Sequence, residues 1–271
     1  ATPPTSTPPT QTCVTKITGK FALLALLTAG PAAAQPVATV AQGRPVEFEG
    51  SLRAFGKSAR WEPMGELVGR LQFEGRQPMR SLMLGAYHKD AAWLKTGAFV
   101  RFQSGLRHDD DWARRVDGFW EWRNTTDRNE AVLVLDVTPR AKLSWLPGNG
   151  WLGLLKTRYE HNTFNGQNLI KLQPELSWFW MRGLVPKAHV ALRYEADLAV
   201  GFGRQALREQ WVYASALWHS PGGLVVGPTA ALREGVFETS SDFSSHSGGR
   251  SYRALWRSYV LGLTAVYRFG R

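Results

Sequence analysis

From Val46 to Phe269 the chain is written in period two, with apolar and polar residues alternating through one short segment after another. In residues 46–53, Val46, Phe48, Gly50 and Leu52 oppose Glu47, Glu49, Ser51 and Arg53. In residues 187–197, Ala188, Val190, Leu192, Tyr194 and Ala196 oppose Lys187, His189, Arg193, Glu195 and Asp197. Residues i and i+2 share a face only on a β-strand, so the pattern predicts strands and no long internal helix. Lys156, Arg158 and Glu160 oppose Leu155, Thr157 and Tyr159, and Leu94, Ala98, Val100 and Phe102 oppose Lys95, Arg101 and Gln103. Phe99 interrupts the polar face of that last segment.

Segments of this kind fall near 46–54, 66–74, 80–87, 93–104, 116–123, 130–137, 140–146, 151–161, 169–180, 187–198, 208–218, 222–234 and 255–269. Pro139 divides one pair of them, and a single bent strand there brings the count to about 12, within a range of 10–14. Turn chemistry separates them: Pro147-Gly148-Asn149-Gly150, Asn165-Gly166 and Pro221-Gly222-Gly223. Residues 107–115 and 238–250 read as longer polar loops.

The N-terminus reads as an address. Lys16 and Lys20 precede the apolar run Phe21–Leu27, and Pro31-Ala-Ala-Ala-Gln35 follows it, the three parts of a secretory signal cleaved after Ala34. Residues 35–45 read as a periplasmic linker and 46–271 as the folded body. Cys13 is the only cysteine and lies before the apolar run, in the N-terminal extension that makes up residues 1–34 with the signal, so the body has no disulfide and no thiolate ligand. The full chain carries +11; removing Lys16 and Lys20 leaves +9. A basic excess suits nucleic acid, but an exported chain without a recognition motif argues against that partner.

Alternation permits either a soluble sandwich or a barrel turned inside out. Three features favour the barrel. Charges recur in mid-strand; Trp61, Trp93, Trp145, Trp151, Trp178, Trp180, Trp211, Trp218 and Trp256 gather toward segment ends; and no stretch holds the roughly 18 apolar residues of a spanning helix, whereas spanning strands need only about 9–11. The expected fold class is therefore all-β, a transmembrane antiparallel β-barrel.

With these features the chain resembles bacterial outer-membrane β-barrels. Its last strand carries Tyr259, Leu261, Leu263, Tyr267 and Phe269 on one face, similar to the C-terminal strand that the outer-membrane assembly machinery reads; Gly270-Arg271 after Phe269 depart from it. More narrowly, size, charge and the phrase "KLQPELSW" (171–178) resemble the small monomeric porins specific for acidic oligosaccharides. The resemblance implies a bacterial outer-membrane location, contact with the lipid bilayer and lipopolysaccharide, a monomer, no cofactor, and passage of a small anionic solute.

The polar faces supply the expected lumen. Its cations are Arg53, Arg70, Lys95, Arg101, Arg123, Lys142, Lys156, Arg158, Lys171, Arg193 and Arg268; its acids are Glu74, Glu121, Glu160, Glu175, Glu195 and Asp197. A basic surplus there lowers the cost of an anion entering a narrow pore, while mixed signs also permit ladders of ion pairs that plug it. Two alternatives stay open. A lipid-modifying hydrolase needs a Ser–His pair with an orienting acid at the outer rim, for which His246 among Ser244, Ser245 and Ser247 is one candidate neighbourhood. A non-conducting structural or adhesion barrel would work through its loops. His108-Asp109-Asp110-Asp111 lacks the glycine and distal glutamate of a calcium loop and reads as solvated.

Overall fold

A computed structural model describes residues 38–41, 46–56, 58–71, 78–105, 112–114, 120–122, 129–148, 150–201, 206–238 and 252–270. Their regular elements are all strands: β1 (Ala38–Ala41), β2 (Val46–Gly56), β3 (Trp61–Leu71), β4 (Met79–Ala91), β5 (Leu94–Ser104), β6 (Trp112–Arg114), β7 (Trp120–Trp122), β8 (Glu130–Lys142), β9 (Trp151–Asn162), β10 (Asn168–Arg182), β11 (Val185–Val200), β12 (Leu207–His219), β13 (Leu224–Glu238) and β14 (Tyr252–Phe269). The expected N-terminal extension and signal, residues 1–34, and most of both long polar loops lie outside the described residues.

Eleven strands make one closed barrel, β2 to β5 and β8 to β14, each antiparallel to the one before it. The count is eleven instead of twelve because the expected strand at 116–123 is not a stave. Its described part, β7, pairs only with β6, inside the connection between β5 and β8, which are themselves bonded directly. Three residues of strand rise about 10 Å, too little to run the length of this wall. The segments on either side of Pro139 do form one strand, β8, whose register with β9 is the same before and after the proline (Val137 opposite Thr157, Arg140 opposite Leu154).

An odd number of staves on an up-and-down path leaves the first and last strands pointing the same way, so closure has to be parallel. β14 runs beside β2 in that sense from Tyr259 opposite Val46 to Phe269 opposite Gly56. Inside the seam, Thr264 bridges the Ser51 and Thr229 hydroxyls at 2.9 and 3.0 Å. β1, within the expected linker, pairs with β14 in the same parallel sense, Ala38 opposite Tyr252.

The strands are strongly staggered. Leu52 leads in one direction through Leu67, Leu82 and Phe102 to Ala131, at the start of β8. In the other direction it leads through Ala265, Val226, Trp218 and Ala188 to Trp180, near the end of β10. Closing a sheet requires this tilt. One end of the barrel carries the connections 57–60, 92–93, 143–150, 183–184 and 220–223, mostly short turns; the opposite end carries the two longest, 105–129 and 239–251. At the turn end Gly150 has φ 114°, and a Cβ there would lie 2.5 Å from the Phe179 carbonyl oxygen, so both backbone conformation and space require glycine.

The burial pattern is inverted relative to a soluble domain. Leu52, Leu67, Leu84, Leu135, Leu192, Leu261 and Leu263 point outward and are exposed, Leu263 at 58%. Glu47, Glu62, Arg70, Asp136, Arg158, Glu160, Glu195, Asp197 and Glu209 point inward and are buried, Asp136 at 1%. The apolar outer band has marked edges. Trp61, Trp93, Trp145, Trp180 and Trp218 are exposed toward the turn end. Nearer the loops the outer face turns polar: the Tyr159 hydroxyl donates to Asn168 Oδ1, the Tyr194 hydroxyl donates to Gln210 Oε1, and Arg257 pairs with Glu234.

Candidate functional site

The lumen is the site, and alternation on every stave builds it. Arg158 on β9 donates through Nε and Nη2 to the two oxygens of Asp136 on β8, at 2.7 and 3.0 Å. Lys156 reaches the same carboxylate at 3.1 Å, and the Tyr87 hydroxyl donates to it at 3.0 Å. Arg101 forks onto Glu160 at 2.8 and 2.9 Å. Lys171 bridges Asp197 at 2.7 Å and Glu195 at 3.3 Å, with Gln173 donating to Glu195 at 2.7 Å. Arg70 pairs with Glu49 at 2.7 Å and lies near Glu47 at 3.7 Å. Arg53 pairs with Glu66, Lys95 with Glu62, and Arg233 with Glu209.

Thus Arg53, Arg70, Arg101, Lys156, Arg158, Lys171, Glu160, Glu195 and Asp197 come together in the barrel interior, while Lys95 pairs with Glu62 toward the turn end. The remaining expected residues are placed differently. Arg268 stands at the turn end, 3.4 Å from Glu62, and Glu175 accepts the Ser177 hydroxyl at 2.9 Å. Lys142 is exposed at the turn end of β8. Glu121 belongs to β7 and so to no barrel strand, because its segment is spent on the β6–β7 hairpin. Glu74 and Arg123 lie outside the described residues, as do His108 and His246.

Several lumen residues were absent from the expected set: Glu47, Glu49, Glu62, Glu66, Glu130, Asp136, Arg208, Glu209 and Arg233. The period-two rule carries the signal for most of them. Asp136 was hidden because its inward neighbours Val132 and Val134 are apolar too, which turns residues 131–137 into an almost unbroken hydrophobic run. These valines join Met64, Met83, Tyr87 and Phe99 in a buried cluster on the β3–β4–β5–β8 wall, with Phe55 packed against it. Phe99 breaks the polar pattern for this reason: it is part of an interior wedge, its ring meeting Tyr87 edge-on at 4.8 Å.

Inward cations and carboxylates nearly balance. Exposed Arg60, Arg80, Arg140, Lys142 and Arg182 carry part of the basic excess elsewhere. The free volume is divided. Toward the loops a cavity of about 320 Å³ threads the ion pairs. Toward the turns a larger one of about 840 Å³ is lined by Lys187, His189, Arg193, Tyr213 and His219 among others. Glu49, Arg53, Phe55, Arg193 and Tyr213 border both.

Among the described residues no group of three or more His, Cys, Asp or Glu is arranged to hold a metal ion, and no helix is long and apolar enough to cross a membrane. No protein-family profile, curated protein or solved structure matches the chain. Fold and site together define a closed eleven-stranded β-barrel with a charge-lined interior.

Proposed function

We propose that the chain spans a bacterial outer membrane as a monomeric barrel and that its lumen is a narrow passage for small anionic solutes. The observation that carries this reading is the inversion: staves expose leucines outward and bury ion pairs inward. In water such a surface would leave a belt of apolar area exposed; in lipid the same belt is solvated and the charges face the lumen. Staves of 11 to 18 residues meet or exceed the roughly 9–11 that a bilayer requires. Tryptophans at one edge and hydroxyl-bearing tyrosines toward the other suit the two headgroup levels. The short turns would then face the periplasm and the longer loops, with lipopolysaccharide around them, the exterior. The aromatic C-terminal strand is what the assembly machinery would engage. The odd strand count departs from the even numbers of bacterial single-chain barrels, although a nineteen-stranded mitochondrial barrel exists.

Anion preference is supported by the turn-end vestibule, where Lys187 and Arg193 have no carboxylate partner among the described residues. Reconstitution into a planar bilayer tests the reading: it predicts a small conductance whose reversal potential in a salt gradient has the sign of anion selectivity. A cation-selective current would refute it. A second reading, a non-conducting structural barrel, is favoured by the ion pairs and apolar wedge that fill the loop-side half; a folded, inserted barrel that carries no current would decide for it.

A further inference from the structure

The turn-end vestibule contains an arginine with no carboxylate at ion-pairing distance among the described residues, although Glu195, two residues along its strand, feels its charge. Arg193 on β11 is the direct cross-strand neighbour of Glu175 on β10 and of Tyr213 on β12. It stacks on Tyr213, its guanidinium carbon 4.0 Å from the ring centroid, instead of pairing with Glu175. Glu175 instead accepts from Ser177. The Arg193 Nε is buried and has no hydrogen-bond acceptor. Arg101 Nε also lacks an acceptor, but its two Nη groups fork onto Glu160, and Arg158 meets Asp136; no carboxylate accepts from Arg193 at hydrogen-bond distance among the described residues, and a buried donor left open costs free energy unless something accepts it.

The surroundings fit an acceptor that enters from solution. Lys187, six residues and roughly 20 Å along the same strand, lines the same cavity without a carboxylate partner among the described residues and adds longer-range attraction for an anion. His189 Nδ1 and His219 Nε2 share one hydrogen bond at 2.7 Å, and the His189 ring stacks on Phe179 at 4.8 Å between centroids. The cavity's volume, about 840 Å³, lies in the range of small-molecule sites. A guanidinium held flat by an aromatic ring keeps its in-plane donors aimed at a planar or tetrahedral oxyanion, and this pre-organisation favours binding.

We infer that Arg193, floored by Tyr213, is a binding site for the carboxylate or phosphate of a small organic anion. The site rests on the proposed passage only for its biological use; binding itself needs no membrane.

The test is calorimetric titration of the full chain, refolded in detergent, with inorganic phosphate, glycerol 3-phosphate and succinate, and with glycerol as the neutral control. Saturable binding of at least one anion and none of glycerol is expected, and comparing the phosphates with succinate tells which oxyanion is preferred. Arg193→Gln should weaken that binding roughly tenfold or more, and Arg193→Lys should restore part of it. Glu175→Gln, which removes the competing acid, should tighten it. Resistance of each variant to unfolding in sodium dodecyl sulfate checks the fold. Absence of anion binding by the folded wild type, equal binding by Arg193→Gln, or weaker binding by Glu175→Gln would each overturn the site. Binding without conductance would remove the passage and keep the site; conductance without binding would do the reverse.

Discussion

Asp136 is the residue whose loss should tell most about the interior. It is 1% exposed and accepts four contacts: two from Arg158, one from Lys156 and one from the Tyr87 hydroxyl. Asp136→Asn keeps the volume but removes the charge, leaving two cations close together, with Glu160 at 3.7 Å from Arg158 as the remaining acid within pairing distance among the described residues. Removing one partner of a buried pair costs about 3–5 kcal/mol, because the other charge stays desolvated and uncompensated; an exposed pair is worth about 0–1 kcal/mol. The burial of Asp136 and Arg158 puts the expected loss in the first range, reduced somewhat by Glu160. Urea unfolding in detergent micelles or vesicles, followed by tryptophan fluorescence, would measure it. The double variant Asp136→Asn/Arg158→Gln should lose less than the sum of the two single changes, since the uncompensated cation disappears with its partner. A loss below about 1 kcal/mol for Asp136→Asn would mean that water screens the middle of the lumen, and the description of a filled, ion-paired interior would fail with it.

Other positions probe the remaining walls. Leu263→Arg puts a charge on the outward face of β14 and should cost about 2–4 kcal/mol if it lies at mid-bilayer; unchanged insertion and unfolding in vesicles would argue against lipid there. Gly97→Val should cost at least about 1–3 kcal/mol by overpacking, because a Cβ would come within 2.6 Å of the Phe99 ring and 2.7 Å of the Tyr87 ring; full wild-type stability would show the wedge to be loose. Combined with Phe99→Ala, the same change should be tolerated better than alone. Thr264→Val strips the hydroxyl that bridges Ser51 and Thr229 across the parallel seam and should cost about 1 kcal/mol, read as a lower urea midpoint; no change would mean that those hydroxyls are answered equally well by water.

Where sequence reasoning succeeded and failed follows from what alternation encodes. Period two records which face a side chain takes, and wherever one face was polar and the other apolar, as in β2, β9 and β11, the strand was readable within a few residues. It fails where both faces are apolar, as in β8, whose inward valines belong to the wedge, and it says nothing about length, so the three-residue β7 passed for a stave. Partner choice was beyond it for a different reason. Ion pairs depend on register and on the curvature that brings non-adjacent strands near one another: Lys95 on β5 reaches past β4 to Glu62 on β3, while Arg193 ignores the Glu175 directly beside it. The strand count belongs to the whole circuit. Tyr259, Leu261, Leu263, Tyr267 and Phe269 face outward on β14; alternation put them on one face, and the charged opposite faces of other strands, together with the export signal, told which way that face turns. That β14 must meet β2 in parallel, with Thr264 tying the seam, follows only once the short β6–β7 hairpin is taken out of the wall and the number of staves becomes odd.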